Sequence, residues 1–408
     1  NIRSCNYFLS RYHTVEGNQE MINRYVGEVY FFKAKFYYEK VLRFGDVPWL
    51  ITDLTTSSEE LYGARDDRGT VIDSICVCLD KAAQWLPETM IENRLSKYAA
   101  LTLKSRICLF EGTWRKYRSM ANADKYLRLC TEACEQIIKS GNFDIYSTGK
   151  KDDDYHALFN QQDYTNNKEA IFFVSYITDK RMHNRPRTVR ESQTGMTKDF
   201  VESFLCSDGR PFALSPLYRG DAKFMDEFEN RDPRLKQCVY TPDRPIAILA
   251  NGSEEYENSP VFSNLSNTGY RLYKMYSPLA DDNEYIKCTL DDLIYRYGEV
   301  LLNYAEAKAE LDECDQSVLD QTVNKLRDRV GMPHLTVSVG FLDPNWPDWE
   351  VPVSSLLNEI RRERRVELAC EGLRWNDLCR WKAGKLLENE KTYLGARDPE
   401  TGEYYVIY

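Results

Sequence analysis

Apolar residues recur with a 3.6-residue period in segment after segment at both ends of the chain, and this restricts the fold more than any other feature. Residues 18–42 set Met21, Ile22, Tyr25, Val29, Phe32, Phe36 and Val41 on one stripe. The stripe stops at Phe44-Gly45-Asp46-Val47-Pro48, a glycine and then a proline that cannot continue a helix. Residues 69–85 repeat the pattern through Val71, Ile75, Leu79, Ala82 and Ala83, and Pro87 ends it. Two more helices are expected at 96–112 and 123–140, the second closed by Gly141. The period returns at 290–311, 317–329, 354–371 and 375–384. The segments 96–112 with 123–140, and 290–311 with 317–330, pair across short connections, each pair about 40 residues long, near the repeat length of helical hairpins. Hairpins of that kind stack, burying one face of each on the next and leaving a broad outer surface. The expected fold is mainly α, with tetratricopeptide-like helical hairpins forming a scaffold.

Between the two helical stretches the character changes. Residues 142–287 are rich in Asn, Asp, Gly, Pro and Tyr, and only 170–178 and 270–276 have strand character. So long a run is not expected to be structureless inside a compact chain. It reads as loops and a few short strands carried by the frame, the kind of segment that bears function. The expected organisation is one domain over 1–408, with scaffold at 1–141 and 288–385 and an irregular, loop-rich ligand-binding part at 142–287. The tail from Leu386 is polar and weakly patterned.

Several function classes fall away. A net charge of −10 and a pI near 5.2 lack the basic footprint that a phosphate backbone requires, so no nucleic-acid partner is expected. No run approaches the roughly 20 apolar residues of a membrane span, and residues 1–6 have neither the basic nor the apolar part of a secretory leader. The four histidines, His13, His156, His183 and His334, are scattered, and no phosphate loop or nucleophile elbow is present, so no metal and no cofactor are expected. Twelve cysteines include Cys76/Cys78 and Cys130/Cys134, neither pair in Cys-x-x-Cys spacing. They read as small buried hydrophobes.

One constellation invites a catalytic reading. Glu359, Glu363, Glu367 and Glu371 recur every fourth residue, with Arg361, Arg362, Arg364 and Arg365 between them. A glycosidase sets two carboxylates about 5–10 Å apart across a sugar. Glutamates on one helical stripe instead point the same way, and neighbouring arginines keep them ionised where a general acid needs a raised pKa. The favoured reading is a scaffold helix held by ion pairs, as for Glu299 and Glu306; a glycoside hydrolase using the Glu359–Glu371 carboxylates is the less favoured one.

What remains is a frame with aromatic-rich loops. Tyrosine and tryptophan faces stack on sugar rings while amide, carboxylate and guanidinium groups take the hydroxyls, and such surfaces also hold peptides. By loop position and residue type, the stacking candidates are Tyr62, Tyr155, Tyr218, Tyr256, Tyr270, Trp346 and Trp349, and the polar candidates are Arg187, Asn251 and Asp281. Trp346-Pro347-Asp348-Trp349 stands out as a loop longer than its connection needs.

Local motifs then resemble a known family. Arg296-Tyr297-Gly298-Glu299-Val300-Leu301-Leu302-Asn303-Tyr304-Ala305-Glu306-Ala307 is similar to a characteristic helix of the SusD/RagB family. Residues 359–381, running from the Arg-Arg-Glu-Arg-Arg-Val-Glu-Leu core to Glu371-Gly372-Leu373-Arg374-Trp375-Asn376-Asp377-Leu378-Cys379-Arg380-Trp381, resemble another segment of that family, a long and specific match. Residues 27–48, Ser207-Asp208-Gly209-Arg210-Pro211 and Asn230-Arg231-Asp232-Pro233-Arg234-Leu235 resemble further family segments, in the same order. The resemblance implies four tetratricopeptide-like hairpins and a cell-surface lipoprotein of the outer membrane. It implies a non-enzymatic lid over a TonB-dependent transporter of the SusC type that captures oligosaccharides or, in the RagB branch, peptides. The membrane would be reached only through a lipid anchor outside residues 1–408, and both ends of the family domain are expected to lie beyond this sequence. Cys5 falls in a segment that does not match the lipid-bearing cysteine. The shared motifs imply scaffold, so no binding residue carries over.

Overall fold

The computed structural model describes residues 1–191, 195–263 and 266–407. Helices α1 (Ile2–Leu9), α2 (Gln19–Phe44), α3 (Arg68–Trp85), α4 (Lys97–Lys116) and α5 (Ala123–Ser140) form the first part. Their starts are set by capping side chains: Asn18, Asp67 and Ser96 accept hydrogen bonds from the first-turn amides of Met21, Gly69 and Ala99. Gly141, at φ +68°, closes α5 in the left-handed conformation that glycine adopts without penalty. Helices α2 and α3 pack as one hairpin and α4 and α5 as the next, with α3 on α4. Phe31, Val41, Ile72, Ile75, Leu79, Leu101 and Ile107 are buried in the core they share.

The middle holds the short helices α6 (Asp154–Ala157), α7 (Arg185–Glu191), α8 (Lys198–Glu202) and α9 (Arg234–Cys238), and strands β1 (Ala170–Val174), β2 (Ala247–Ile248), β3 (Glu254–Glu255), β4 (Val261–Ser263), β5 (Ser266–Gly269) and β6 (Asp292–Arg296). The frame resumes with α10 (Tyr297–Glu310), α11 (Gln316–Gln321), α12 (Val323–Val330), α13 (Ser355–Glu367) and α14 (Arg374–Arg380), and ends in strands β7 (Leu394–Arg397) and β8 (Tyr404–Val406). Helix α10 is the hub, since it packs on α4, α5, α11, α12 and α13. The sheets are two-stranded and antiparallel: β1–β6, β2–β3, β4–β5 and β7–β8.

The structure corrects several element boundaries. The segment 290–311 is not one helix, because residues 292–296 are drawn into a strand that pairs with β1 (Phe173 opposite Leu293, Val174 opposite Asp292). The helix expected at 317–329 breaks at Thr322, whose backbone (φ −125°, ψ −93°) is non-helical. Residues 270–276 form bridges and turns instead of a strand, and Met275 sits at φ +65°. The weakly patterned tail holds the β7–β8 hairpin, and the first nine residues hold α1.

Between the helical pairs lies a core of charge. The stripe Glu359, Glu363 and Glu367 faces inward and is at most 2 % exposed. Glu367 accepts from Arg329 (2.6 and 2.7 Å), Arg234 (2.8 Å) and Arg296 (2.8 Å). Glu363 holds Arg234 (2.6 Å) and Arg327 (2.9 Å), and Glu371 holds Arg296 (2.7 Å) and Lys274 (2.8 Å). Glu169 and Asp232 complete a cluster of five carboxylates with five cations, Arg234, Lys274, Arg296, Arg327 and Arg329. A Cβ at position 298 would lie 2.3 Å from Arg296 Nη1, so Gly298 is what lets this guanidinium cross the start of α10. A second cluster ties α10 to α13 and α14: Arg380 to Glu306 (2.6 Å), Arg364 to Asp377 (2.9 Å) and Arg361 to Glu310 (3.1 Å). Of the four arginines of α13, only Arg362 finds a partner on its own helix, Glu359 (3.1 Å).

Candidate functional site

The two sides of α13 do different things. The glutamate stripe at 359, 363 and 367 is inward. The neighbouring stripe of Asn358, Arg361, Arg362 and Arg365, spaced three and four residues apart, lies on an adjacent face of the same helix. That face forms the floor of a cleft of about 530 Å³. The walls come from the loop carrying Asp343–Trp349, from the first residue of α14, from segment 385–391 and from α8.

Two tryptophans of the long loop reach this cleft in different ways. Trp346 is half-buried, and its Nε1 donates to Glu359 Oε1 at 2.7 Å. That bond fixes the indole at its polar edge and leaves the ring as part of the cleft wall. Trp349 is only 8 % exposed. It packs edge-on to Trp381 (centroids 5.5 Å apart) and donates from Nε1 to Asn358 Oδ1 at 2.6 Å. The Arg361 guanidinium lies 4.6 Å from the Trp349 ring and 4.4 Å from Trp381. Phe212 lines the opposite wall and packs against Tyr218 at 5.3 Å, so Tyr218 supports the cleft through one intervening ring.

Charges around the cleft are mostly paired. Arg362 binds Asp343, Arg365 binds Asp199, and Lys391 binds Glu202. Lys385 reaches Asp348 at 2.9 Å near the mouth. Burial would raise the Asp199 pKa, but Arg365 outweighs it and holds the carboxyl below its usual range. Ring surface beside a few oriented polar groups is the arrangement that small-molecule pockets use. A larger depression, about 660 Å³ beside Asp152, Asp153 and Arg244, has buried Phe228 as its one aromatic lining residue, and so offers no stacking platform.

The other expected residues divide into core and surface. Tyr155 and Tyr270 are 0 % exposed, which corrects their reading as loop platforms. Tyr155 donates to the carbonyl of Glu367 (2.5 Å) and accepts from Lys274 Nζ (2.6 Å), while Tyr270 donates to Glu227 (2.7 Å). Both are phenols holding buried charge in place, where no ligand ring can reach. Trp349 is corrected in part: it lines the cleft by an edge, and its faces belong to the packing. Arg187, Asp281, Asn251 and Tyr256 lie on the loop-rich part, away from the cleft lining. Helix α7, which carries Arg187, packs on the turn 281–283, and the β2 edge bonds to 278–280, so these four share one exposed region. There Arg187 lies 5.8 Å from the exposed Tyr285 ring, and Asn251 and Tyr256 bond to their own hairpin. Tyr62, 83 % exposed, lies on the connection between α2 and α3, outside the cleft lining. Arg361, Arg365, Arg374 and Phe212 were missed by sequence reasoning, because nothing in spacing shows which face of α13 looks into a cleft.

The chain has known relatives. Residues 150–405 match the SusD family, and residues 1–109 match a family described as starch-binding and associating with the outer membrane. A SusD-like protein, P2, of Formosa agariphila is 25 % identical over 391 residues, covering 94 % of this chain and 70 % of that protein. A SusD-like protein of Bacteroides fragilis superposes with a TM-score of 0.73 at 27 % identity, over 94 % of this chain and 73 % of the other. A second structure from that organism, titled a SusD-like carbohydrate-binding protein, gives a TM-score of 0.75 at 24 % identity, over 100 % and 78 %.

Proposed function

The chain belongs to the SusD family, and from that premise we propose that it captures oligosaccharides or polysaccharide segments at the outer membrane and passes them to a SusC-like TonB-dependent transporter. The observation that carries the reading is the cleft beside α13, where Trp346 offers a ring face next to several charged donors held rigid by ion pairs. Support for the ligand class also comes from the matched family described as starch-binding and outer-membrane-associated. Anchoring is proposed through a lipid attached outside residues 1–408, since none of the described helices is long and apolar enough to cross a membrane.

In this reading capture involves no bond cleavage. The glutamates of α13 are committed to arginines. Burial alone would raise the pKa of Glu367, but Arg329, Arg296 and Arg234 outweigh it and hold the carboxyl well below its usual range. A group so held cannot serve as a general acid. Incubation with candidate polysaccharides is expected to release no new reducing ends.

The direct test is native electrophoresis through gels containing a panel of polysaccharides. Retarded migration that Trp346→Ala abolishes without changing the melting temperature supports capture in this cleft. Unchanged retardation removes the cleft from the account and turns attention to the exposed region around Arg187, Asp281, Asn251 and Tyr256. Retention of peptides from a mixed pool with none of the glycans points to the peptide-binding alternative within the family.

A further inference from the structure

Arg374, the first residue of α14, lines the cleft and differs from every other cation there. Arg361, Arg362, Arg365, Lys385 and Lys391 each have a carboxylate partner. Arg374 makes no hydrogen bond or ion pair among the described residues; the Trp381 ring lies 5.7 Å from the guanidinium carbon, and Asp377 and Asp199 act on it only at a distance. The carboxylates that could reach it are taken: Asp377 holds Arg364 and Arg380 (2.9 Å each), and Asp199 holds Arg365. Glu388 lines the mouth as an exposed group. On the floor of the same cleft, Arg361 is 2 % exposed and leaves Nε and Nη1 without a partner among the described residues.

An arginine so placed is disfavoured in its charged form. Burial and then the neighbouring Arg365 bring the Arg374 pKa down to about 9. It still carries its charge at neutral pH, and a guanidinium presents five donors in a planar fork suited to an oxyanion. Arg374 is thus a half-buried cation with Arg365 and Arg361 on one side and only the already engaged Asp377 and Asp199 to offset them, and its donors are free to meet an anion in the cleft.

We propose that this cleft selects glycans bearing an oxyanion, a uronate carboxylate or a sulfate ester, with Arg374 binding the anion while Trp346 packs on the sugar ring. The inference rests on the glycan-capture reading above and adds the charge of the ligand. The chain as a whole carries −10 and repels polyanions, so any retention of an acidic glycan at physiological salt has to come from a local site.

The test uses the full chain in affinity gels and in calorimetry at 150 mM salt. The probes are polygalacturonate and its methyl ester, a sulfated and an unsulfated dextran, and peptides with free or amidated C-termini. The proposal expects retention by polygalacturonate or sulfated dextran, identifying which anion is taken, and weak or no retention by the matched neutral polymer. Arg374→Gln is expected to weaken that binding by about tenfold or more, the value of a charge-assisted hydrogen bond pair, and Arg374→Lys to restore part of it. Because Arg374 has no partner to lose, the Gln variant should melt as the parent does; a melting temperature lowered by several degrees together with unchanged affinity assigns the residue to the Trp381 packing and overturns the proposal. Equal, Trp346-dependent binding of neutral and acidic polymers overturns it while leaving glycan capture intact. Binding confined to peptides with a free carboxylate overturns both.

Discussion

Glu367 is the place where the charged core can be tested most sharply. Its side chain is fully buried and bonds three arginines, which come from α9, α12 and the end of β6. Glu367→Gln keeps the shape, removes one of the five negative charges and turns an amide donor toward groups that can only donate. The loss does not fall evenly. Arg234 keeps Asp232 (2.7 Å) and Glu363 (2.6 Å), and Arg296 keeps Glu169 (2.8 Å) and Glu371 (2.7 Å). Arg329 is left with Glu169 at 3.3 Å, and its Nε is already without a partner. Breaking a buried ion pair from one side costs about 3–5 kcal/mol, most of it the uncompensated charge. Unfolding entropy near 2.1 cal/mol/K per residue gives a chain of 408 residues roughly 0.9 kcal/mol/K, so the melting temperature should drop by roughly 3–6 °C. Scanning calorimetry reads this directly. The double variant Glu367→Gln, Arg329→Gln should lose less than the two single variants together, since the second change removes the stranded charge. A drop below about 1 °C, the scale of a solvent-exposed pair worth under about 1 kcal/mol, would falsify the buried-cluster argument.

Two further outcomes follow from the same structure. Trp349→Ala empties a site packed against Trp381 and Arg361 and should cost about 3–5 kcal/mol, so a calorimetric scan should show it melting several degrees below Trp346→Ala, which exposes a cleft wall; matching melting points would contradict the assignment of Trp349 to the core. Glu367, Glu371, Glu306 and Asp377 are all held below their usual range because arginines, and Lys274 at Glu371, outweigh the effect of burial. Groups whose folded pKa is depressed stabilise the fold above their unfolded pKa and lose that contribution as pH falls through the folded value. The melting temperature should therefore stay level as far as these groups are concerned from neutrality to about pH 5, then fall steeply below about pH 4, near the unfolded carboxylate values; a flat profile down to pH 3 in thermal melts would contradict the pairing.

The helical frame was legible because a 3.6-residue period and its caps are written locally: α5 runs over the expected 123–140, ended by Gly141. The charged core was legible only in part. Four-residue spacing reveals the Glu359–Glu371 stripe, but spacing knows only neighbours on the same helix, and the partners that matter for Glu363 and Glu367, Arg234, Arg296, Arg327 and Arg329, arrive from other elements. The stripe reads in sequence as a scaffold helix held by ion pairs, and only the fold shows it 0–2 % exposed at 359, 363 and 367. The same blindness misplaced Tyr155 and Tyr270, whose polar surroundings in sequence suggest loops while their hydroxyls are needed to satisfy Lys274 and Glu227 inside. In the Trp346-Pro347-Asp348-Trp349 loop, composition points to the right place and cannot say which indole turns inward.

The unpaired state of Arg374 is least visible of all from sequence, since it is a property of every carboxylate around it being engaged elsewhere. Asp377 could serve Arg374, three residues before it, as well as Arg380, three residues after, and only the fold shows it committed to Arg364 and Arg380. The scaffold and the recognition site therefore draw on one set of charges. Each carboxylate that locks α13 and α14 into the frame is a carboxylate withheld from the cleft, and the cation left over is the one free to meet a ligand. A change that freed Asp377, such as Arg364→Gln, should consequently weaken oxyanion binding without touching a cleft-lining residue, by offering Arg374 an internal partner. Calorimetric titration with the acidic probe that binds the parent would show that loss, and unchanged affinity in a variant that still folds would break the link drawn here between core pairing and ligand charge.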